Sequence, residues 1–163
     1  MKKHILWLIC LLLLLGWMGL IFGFSSQTGE DSGGLSAILA EPVTDAIVQA
    51  RGGMEEADRE ALYMQVDHAI RTAAHFSEYA ILGGLLLQVL RGRRRRGLVL
   101  TILVGVVFAL LDEWRQYHTP GRVFDLMDIL VDSLGVVLRG CTDSNSANCV
   151  EEEACTQSMI CMT

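Results

Sequence analysis

Several signatures that would announce a reaction are missing from this chain. It has no HExxH pair, no GxSxG turn and no glycine-rich phosphate loop, which removes the ready-made readings as a zinc protease, a serine hydrolase or a P-loop nucleotide enzyme. Cys141, Cys149, Cys155 and Cys161 have neither CxxC spacing nor a nearby histidine, which argues against a structural zinc site. Charge is missing too: Ile5 to Phe24 is a run of twenty residues with no charge and no strong polar group. As a helix it would be about 30 Å long, the thickness of a bilayer's hydrocarbon core. Lys2 and Lys3 precede the run as they would in a signal peptide, but no small-x-small cleavage site follows in FSSQTGEDS, so the segment reads as a retained span.

What is present is apolar. Hydrophobic residues make up 52% of the 163 residues and the mean hydropathy is +0.39, both high for a soluble domain. Three further apolar segments follow, at Ala69 to Leu90, Gly97 to Leu111 and Val123 to Leu138. The third reaches span length only by including Asp112 to Gln116, and the fourth is short and acidic. The expected fold is all-α: a polytopic membrane protein with a four-helix transmembrane bundle and an outer-side helical loop. Its expected parts are a first span over 1–24, the outer loop over 25–67, three more spans over 68–140, and a disordered tail over 141–163.

Basic residues stay on the cytoplasmic side of short loops. Lys2 and Lys3, the RGRRRR run from Arg91 to Arg96, and Arg139 fall on one side if there are four spans. Both termini are then cytoplasmic, and the acid-rich stretch from Ser25 to Asp67 lies outside. An arginine run can also bind nucleic acid or anionic lipid; between two spans it reads as a topology determinant, and no nucleic-acid partner is expected. Within the outer stretch, Gly33-Gly34 and Gly52-Gly53 read as breaks. Pro42 reads as the opening of a short helix to Ala50. Met54 to Val66 reads as an amphipathic helix that lies on the outer membrane surface or caps the bundle, with a solvated linker helix as the alternative.

Polar residues gather at the outer ends of these segments. Arg71, His75 and Glu78 fall at i, i+4 and i+7, and Asp125, Asp128 and Asp132 at i, i+3 and i+7, each set on one helical face. Asp112, Glu113 and Gln116 end the third segment, and Ser25, Ser26 and Gln27 follow the first. A charge at mid-span costs roughly 2.5–3.5 kcal/mol on insertion scales. The charged groups must therefore face each other or a water-filled pocket. Arg71 and Arg122 are natural counter-ions, but two cations cannot neutralise these six acids. Either some acids are protonated or a cation sits among them, so we expect them to converge in an outward-facing polar pocket.

These blocks together resemble the VanZ-like family of small bacterial membrane proteins, whose name comes from resistance to the glycopeptide teicoplanin. The matching pieces are FSSQ (Phe24 to Gln27), RTAAHFSEYAILG (Arg71 to Gly83), DEWRQ (Asp112 to Gln116), PGR (Pro120 to Arg122) and DILVDSLG with Asp128, Asp132 and Gly135. They occur in the family's order from about Phe24 to Gly135; the tail does not resemble the family. The resemblance implies a cell-membrane protein of the bacterial envelope more firmly than any reaction.

Three functions fit the residues. In a membrane enzyme, His75, Glu78, Asp128 and Asp132 are the candidate catalytic groups, with His75 near neutral pKa as acid or base. Asp112 and Glu113 are candidate ligands for a divalent cation, to which Glu78, Asp128 and Asp132 can add oxygens. Arg71, Tyr79, Gln116, Arg122, Ser26 and Gln27 are candidates for holding a substrate, the arginines through its phosphate or carboxylate. The expected partners are membrane lipids, a lipid-linked envelope precursor or a glycopeptide. A protein that binds such a molecule without turning it over, and a small transporter or proton relay, remain open alternatives, as does the oligomeric state.

Overall fold

The computed structural model describes residues 2–27, 29–90, 95–121, 125–139 and 142, and among these the chain is all-α. Helix α1 is Lys2–Phe24, α2 is Gly29–Ala50, α3 is Glu56–Val89 and α4 is Arg95–Tyr117; a fifth helix, α5, covers 126–139. Arg122, most of the arginine run and the expected disordered tail apart from Thr142 lie outside the described residues.

Helix α1 is apolar around its whole circumference, and only Leu14 and Ile21 are buried. Such a helix has no water-facing side. It and Arg96–Tyr117 are the two described helices long and apolar enough to cross a membrane. Helix α5, at about 21 Å for its length, is shorter than a usual span of about 20 residues. The carboxyl-terminal half of α3 carries His75 and Glu78 within its apolar stretch.

The stretch between the first two apolar segments is more ordered than expected. In place of a short helix opening at Pro42 there is a 22-residue helix with Pro42 inside it. Gly33-Gly34 is absorbed into that helix, and Pro42 sits on its exposed side. The reason lies on the opposite face: Ser36, Ala40 and Thr44, at i, i+4 and i+8, are all buried, and their small side chains let α2 lie close to α3. Gly52-Gly53 does break the chain. Both glycines have positive φ, 79° and 109°, and their N–H groups return to Gln49 and Val48 at 3.1 Å, a Schellman close. The expected separate helix at 54–66 is instead the beginning of the 34-residue α3; no glycine or proline lies between Glu56 and Ile81 to interrupt it.

The long α3 is the spine. Trp17 Nε1 donates to the carbonyl of Glu78, and Trp7 Nε1 to that of Val89, each at 3.0 Å. These bonds set α1 antiparallel along the carboxyl-terminal half of α3. Helix α2 runs along the amino-terminal half, where Arg59 reaches Asp45 at 2.8 Å. The hydrogen bond to Asp45 and its negative charge raise the Arg59 guanidinium above its ordinary pKa. Phenylalanine has no N–H to give the Glu78 carbonyl, so Trp17→Phe loses this hydrogen bond and is expected to lower stability by about 1 kcal/mol. Thermal unfolding in detergent checks this, and no shift would mean that the bond carries nothing.

Helices α4 and α5 close the bundle against the other side of α3. Tyr79, Leu82 and Leu86 of α3, Ala109 of α4 and Val136 of α5 form the core with Leu14 and Ile21. A Cβ added at Gly135 would lie 2.6 Å from the Phe76 carbonyl oxygen, and one at Gly83 would lie 3.0 Å from the Val136 Cα. Helices α3 and α5 therefore touch backbone to backbone, as small residues at a helix contact permit. The order of these contacts makes α5 parallel to α3.

Candidate functional site

The backbone contact at Gly135 positions the site. One turn earlier on α5 stands Asp132, and Phe76, which Gly135 meets, is the neighbour of His75. The result is a separation of 3.7 Å between His75 Nδ1 and Asp132 Oδ1. Helix α4, packed against α5 through Gly105 and Val136, delivers Asp112 to the same point. One ligand atom from each of His75, Asp112 and Asp132 lies within 4.8 Å of the others. The two aspartates are deeply buried, at 1% and 2% exposure.

Neighbouring groups complete the arrangement. Gln116 Nε2 donates to Asp112 Oδ2 at 3.2 Å, and Ser25 and Tyr79 stand beside the same carboxylate. The carboxylates of Asp112, Asp128, Glu78 and Glu113 all act electrostatically on Asp132. Helices far apart in sequence thus meet at one acidic centre. Asp112 Oδ1 and Asp132 Oδ1 are buried without a hydrogen-bond partner among the described residues, and such atoms call for an explanation.

Other polar residues of the same sequence blocks are occupied elsewhere. Arg71, expected to neutralise the acids, pairs with Asp67 one turn away on its own helix at 3.0 Å. Glu113 follows Asp112, and successive residues on a helix diverge by about 100°. Its Oε1 accepts the backbone N–H of Asp125 at 2.6 Å. Asp125 in turn accepts the N–H of Met127 at 2.8 Å, which makes it the amino-terminal cap of α5. Ser26 donates to the Phe22 carbonyl at 2.5 Å and accepts from Arg115, whose guanidinium lies 4.0 Å over the Phe22 ring. These groups tie helix ends together. Asp128 is half-buried on α5, near enough to act on Glu113 and Asp132.

Beside the acidic centre opens a cleft of about 240 Å³, between the end of α1, the start of α2 and the middle of α3. Its walls include Phe24, Leu35, Leu39 and Ile70, and its polar lining includes Gln27, Arg71, His75 and Glu78. His75 and Glu78 therefore face both the cleft and the acids. Sequence reasoning did not include Leu35, Ser36 and Leu39 in the site, because it treated their segment as a loop. The signal was there: small residues at Ser36, Ala40 and Thr44, with Leu35, Ile38, Leu39 and Val43 exposed on another face.

With this geometry in view, a family model described as VanZ/LLP1 matches residues 10–139. No curated protein and no solved structure matches the chain.

Proposed function

The chain belongs to the VanZ/LLP1 family, and from that premise we propose that it is a four-span membrane protein of the bacterial envelope that holds an amphiphile in the cleft beside His75. The amphiphile is an envelope lipid, a lipid-linked precursor or a glycopeptide of the teicoplanin kind. The four spans are α1, the carboxyl-terminal half of α3, α4 and α5. The amino-terminal half of α3 and α2 form a hairpin on the outer side, and Lys2, Lys3, the arginine run and Arg139 lie in the cytoplasm. The polar ends Ser25 to Gln27, His75 to Glu78 and Asp112 to Gln116 then sit at the outer headgroup level.

The observation that carries this reading is the composition of the cleft. Its lining combines the apolar side chains of Phe24, Leu35, Leu39 and Ile70 with the polar groups of Gln27, Arg71, His75 and Glu78. Ligand sites are commonly apolar cavities with a few placed polar groups, and a cleft lined this way suits a molecule with an oily part and a polar head. It lies where α1 ends, which is where a lipid headgroup would lie. Helix α2 supports the reading, because Leu35, Ile38, Leu39 and Val43 are exposed along it.

Filling the cleft tests this. Leu39→Trp adds bulk to an exposed wall residue, so the fold is expected to persist while the cleft shrinks. Purified protein is mixed with bacterial polar lipid extract or with teicoplanin, and retained ligand is measured by mass spectrometry. Wild type is expected to retain one of these, and the variant at least about tenfold less, a loss of about 1.4 kcal/mol. Equal retention by both would show that the ligand sits elsewhere.

A further inference from the structure

The acidic centre is built for more than an electrostatic surface. We propose that His75, Asp112 and Asp132 together bind one Zn²⁺-like divalent ion, with a coordination position left open toward the cleft. The donor set differs from the Asp112 and Glu113 pair suggested by sequence adjacency, because Glu113 is engaged with the start of α5. It also stands independently of the amphiphile reading, since it rests on the three side chains and their burial.

Three observations carry it. The first is spacing. Donor atoms on one ion at about 2.1 Å from the metal stand about 3 to 4.2 Å apart in tetrahedral or octahedral geometry. His75 Nδ1 and Asp132 Oδ1 are 3.7 Å apart, too far for a hydrogen bond and right for two ligands of one ion. The full set lies within 4.8 Å, so small side-chain rotations close it. The second is the pair of orphaned atoms. Asp112 Oδ1 and Asp132 Oδ1 are buried with no hydrogen-bond partner among the described residues, and Asp132 Oδ1 is directed at the centre. The third is charge. Among the described residues, Arg71 is held by Asp67 and Arg115 by Ser26 and the Phe22 ring. That leaves His75, a single positive charge when protonated, beside two buried carboxylates that require compensation. A divalent ion neutralises both at once.

The donor types select the metal. One imidazole nitrogen with two carboxylate oxygens suits a borderline ion such as Zn²⁺, while Ca²⁺ prefers six to eight oxygens. Three protein ligands leave a fourth position for water or for an oxygen of a bound molecule, the pattern of reactive rather than structural zinc sites. Gln116, which donates to the other oxygen of Asp112 at 3.2 Å, orients that ligand as an outer-shell partner does.

The test uses the full-length protein purified in detergent, with its cysteines alkylated so that thiols bind no metal. After treatment with a chelator it is given ZnCl₂, passed through gel filtration and assayed for metal by atomic emission, and its thermal unfolding is followed. The expected result is about one Zn²⁺ per chain and a raised Tm, with excess CaCl₂ unable to displace the ion. His75→Ala and Asp132→Asn are each expected to weaken Zn²⁺ binding at least tenfold, while Asp125→Asn, which keeps the helix cap, retains it. Asp132→Asn preserves shape, so it decides the matter if His75→Ala fails to fold. Wild type emerging without Zn²⁺, zinc retained equally by Asp132→Asn, or displacement by Ca²⁺ would overturn the proposal. Loss of Zn²⁺ with unchanged lipid or teicoplanin retention would leave the amphiphile reading standing, and the reverse would leave the metal site standing.

Discussion

Gly135→Ala is expected to destabilise the protein by about 3 kcal/mol, at the upper end of the cost of overpacking a close-packed interior, and Gly135→Leu to prevent the bundle from forming. The added Cβ would stand 2.6 Å from the Phe76 carbonyl oxygen and 3.0 Å from the Ala80 nitrogen. Both are backbone atoms of α3, so no rotamer change relieves the clash, and the helices must separate. Separation also moves Asp132 away from His75, because Gly135 lies one turn from the first and meets the neighbour of the second. Gly19→Ala is the control: nothing lies within 4 Å of its added Cβ, and alanine favours a helix over glycine by up to about 1 kcal/mol. Gel filtration and thermal unfolding in detergent compare the two variants. A Gly135→Ala protein as stable as wild type would show that α3 and α5 do not touch as described.

Glu78→Gln is expected to reduce retention of the cleft's amphiphile by roughly ten- to a hundredfold, the equivalent of the 1.5–3 kcal/mol ascribed to a hydrogen bond with a charged group. Glu78 lines the cleft and acts electrostatically on Asp132 across the acidic centre. Glutamine keeps its volume and removes only its ability to carry charge, so the Trp17 bond to the Glu78 backbone carbonyl is preserved and the fold with it. Retention is measured by mass spectrometry as for Leu39→Trp, with the Tm as a check on folding. Unchanged retention at an unchanged Tm would remove Glu78 from the binding surface.

The two variants act on different scales of the molecule, and the same division runs through what the residues reveal in advance. The apolar run from Ile5 to Phe24 announces α1, because a helix without a polar face is legible from composition alone. The spacing of His75 and Glu78, and of Asp128 and Asp132, places each pair on one face of its helix, since helical period is a local property. Motif order from FSSQ to DILVDSLG is enough to indicate the family that the family model then matches over residues 10–139. Helix α2 was harder to read. Gly33-Gly34 suggests a break and Pro42 a helix start, yet a packed face of Ser36, Ala40 and Thr44 overrides these local preferences, as tertiary contact routinely does.

The sequence by itself therefore determined the helical class, the long apolar helices α1 and α4, the family, and the residue types gathered at the polar ends. Only the tertiary structure decided which of those residues meet. Asp112 and Glu113 are neighbours in the chain, yet one enters the centre with His75 and Asp132 while the other holds the start of α5. Arg71 is on the right face to serve the acids and is taken by Asp67. The physical reason is that periodicity fixes directions within one helix, whereas partners across helices depend on where the backbones can approach, and here Gly135 against Phe76 sets that point.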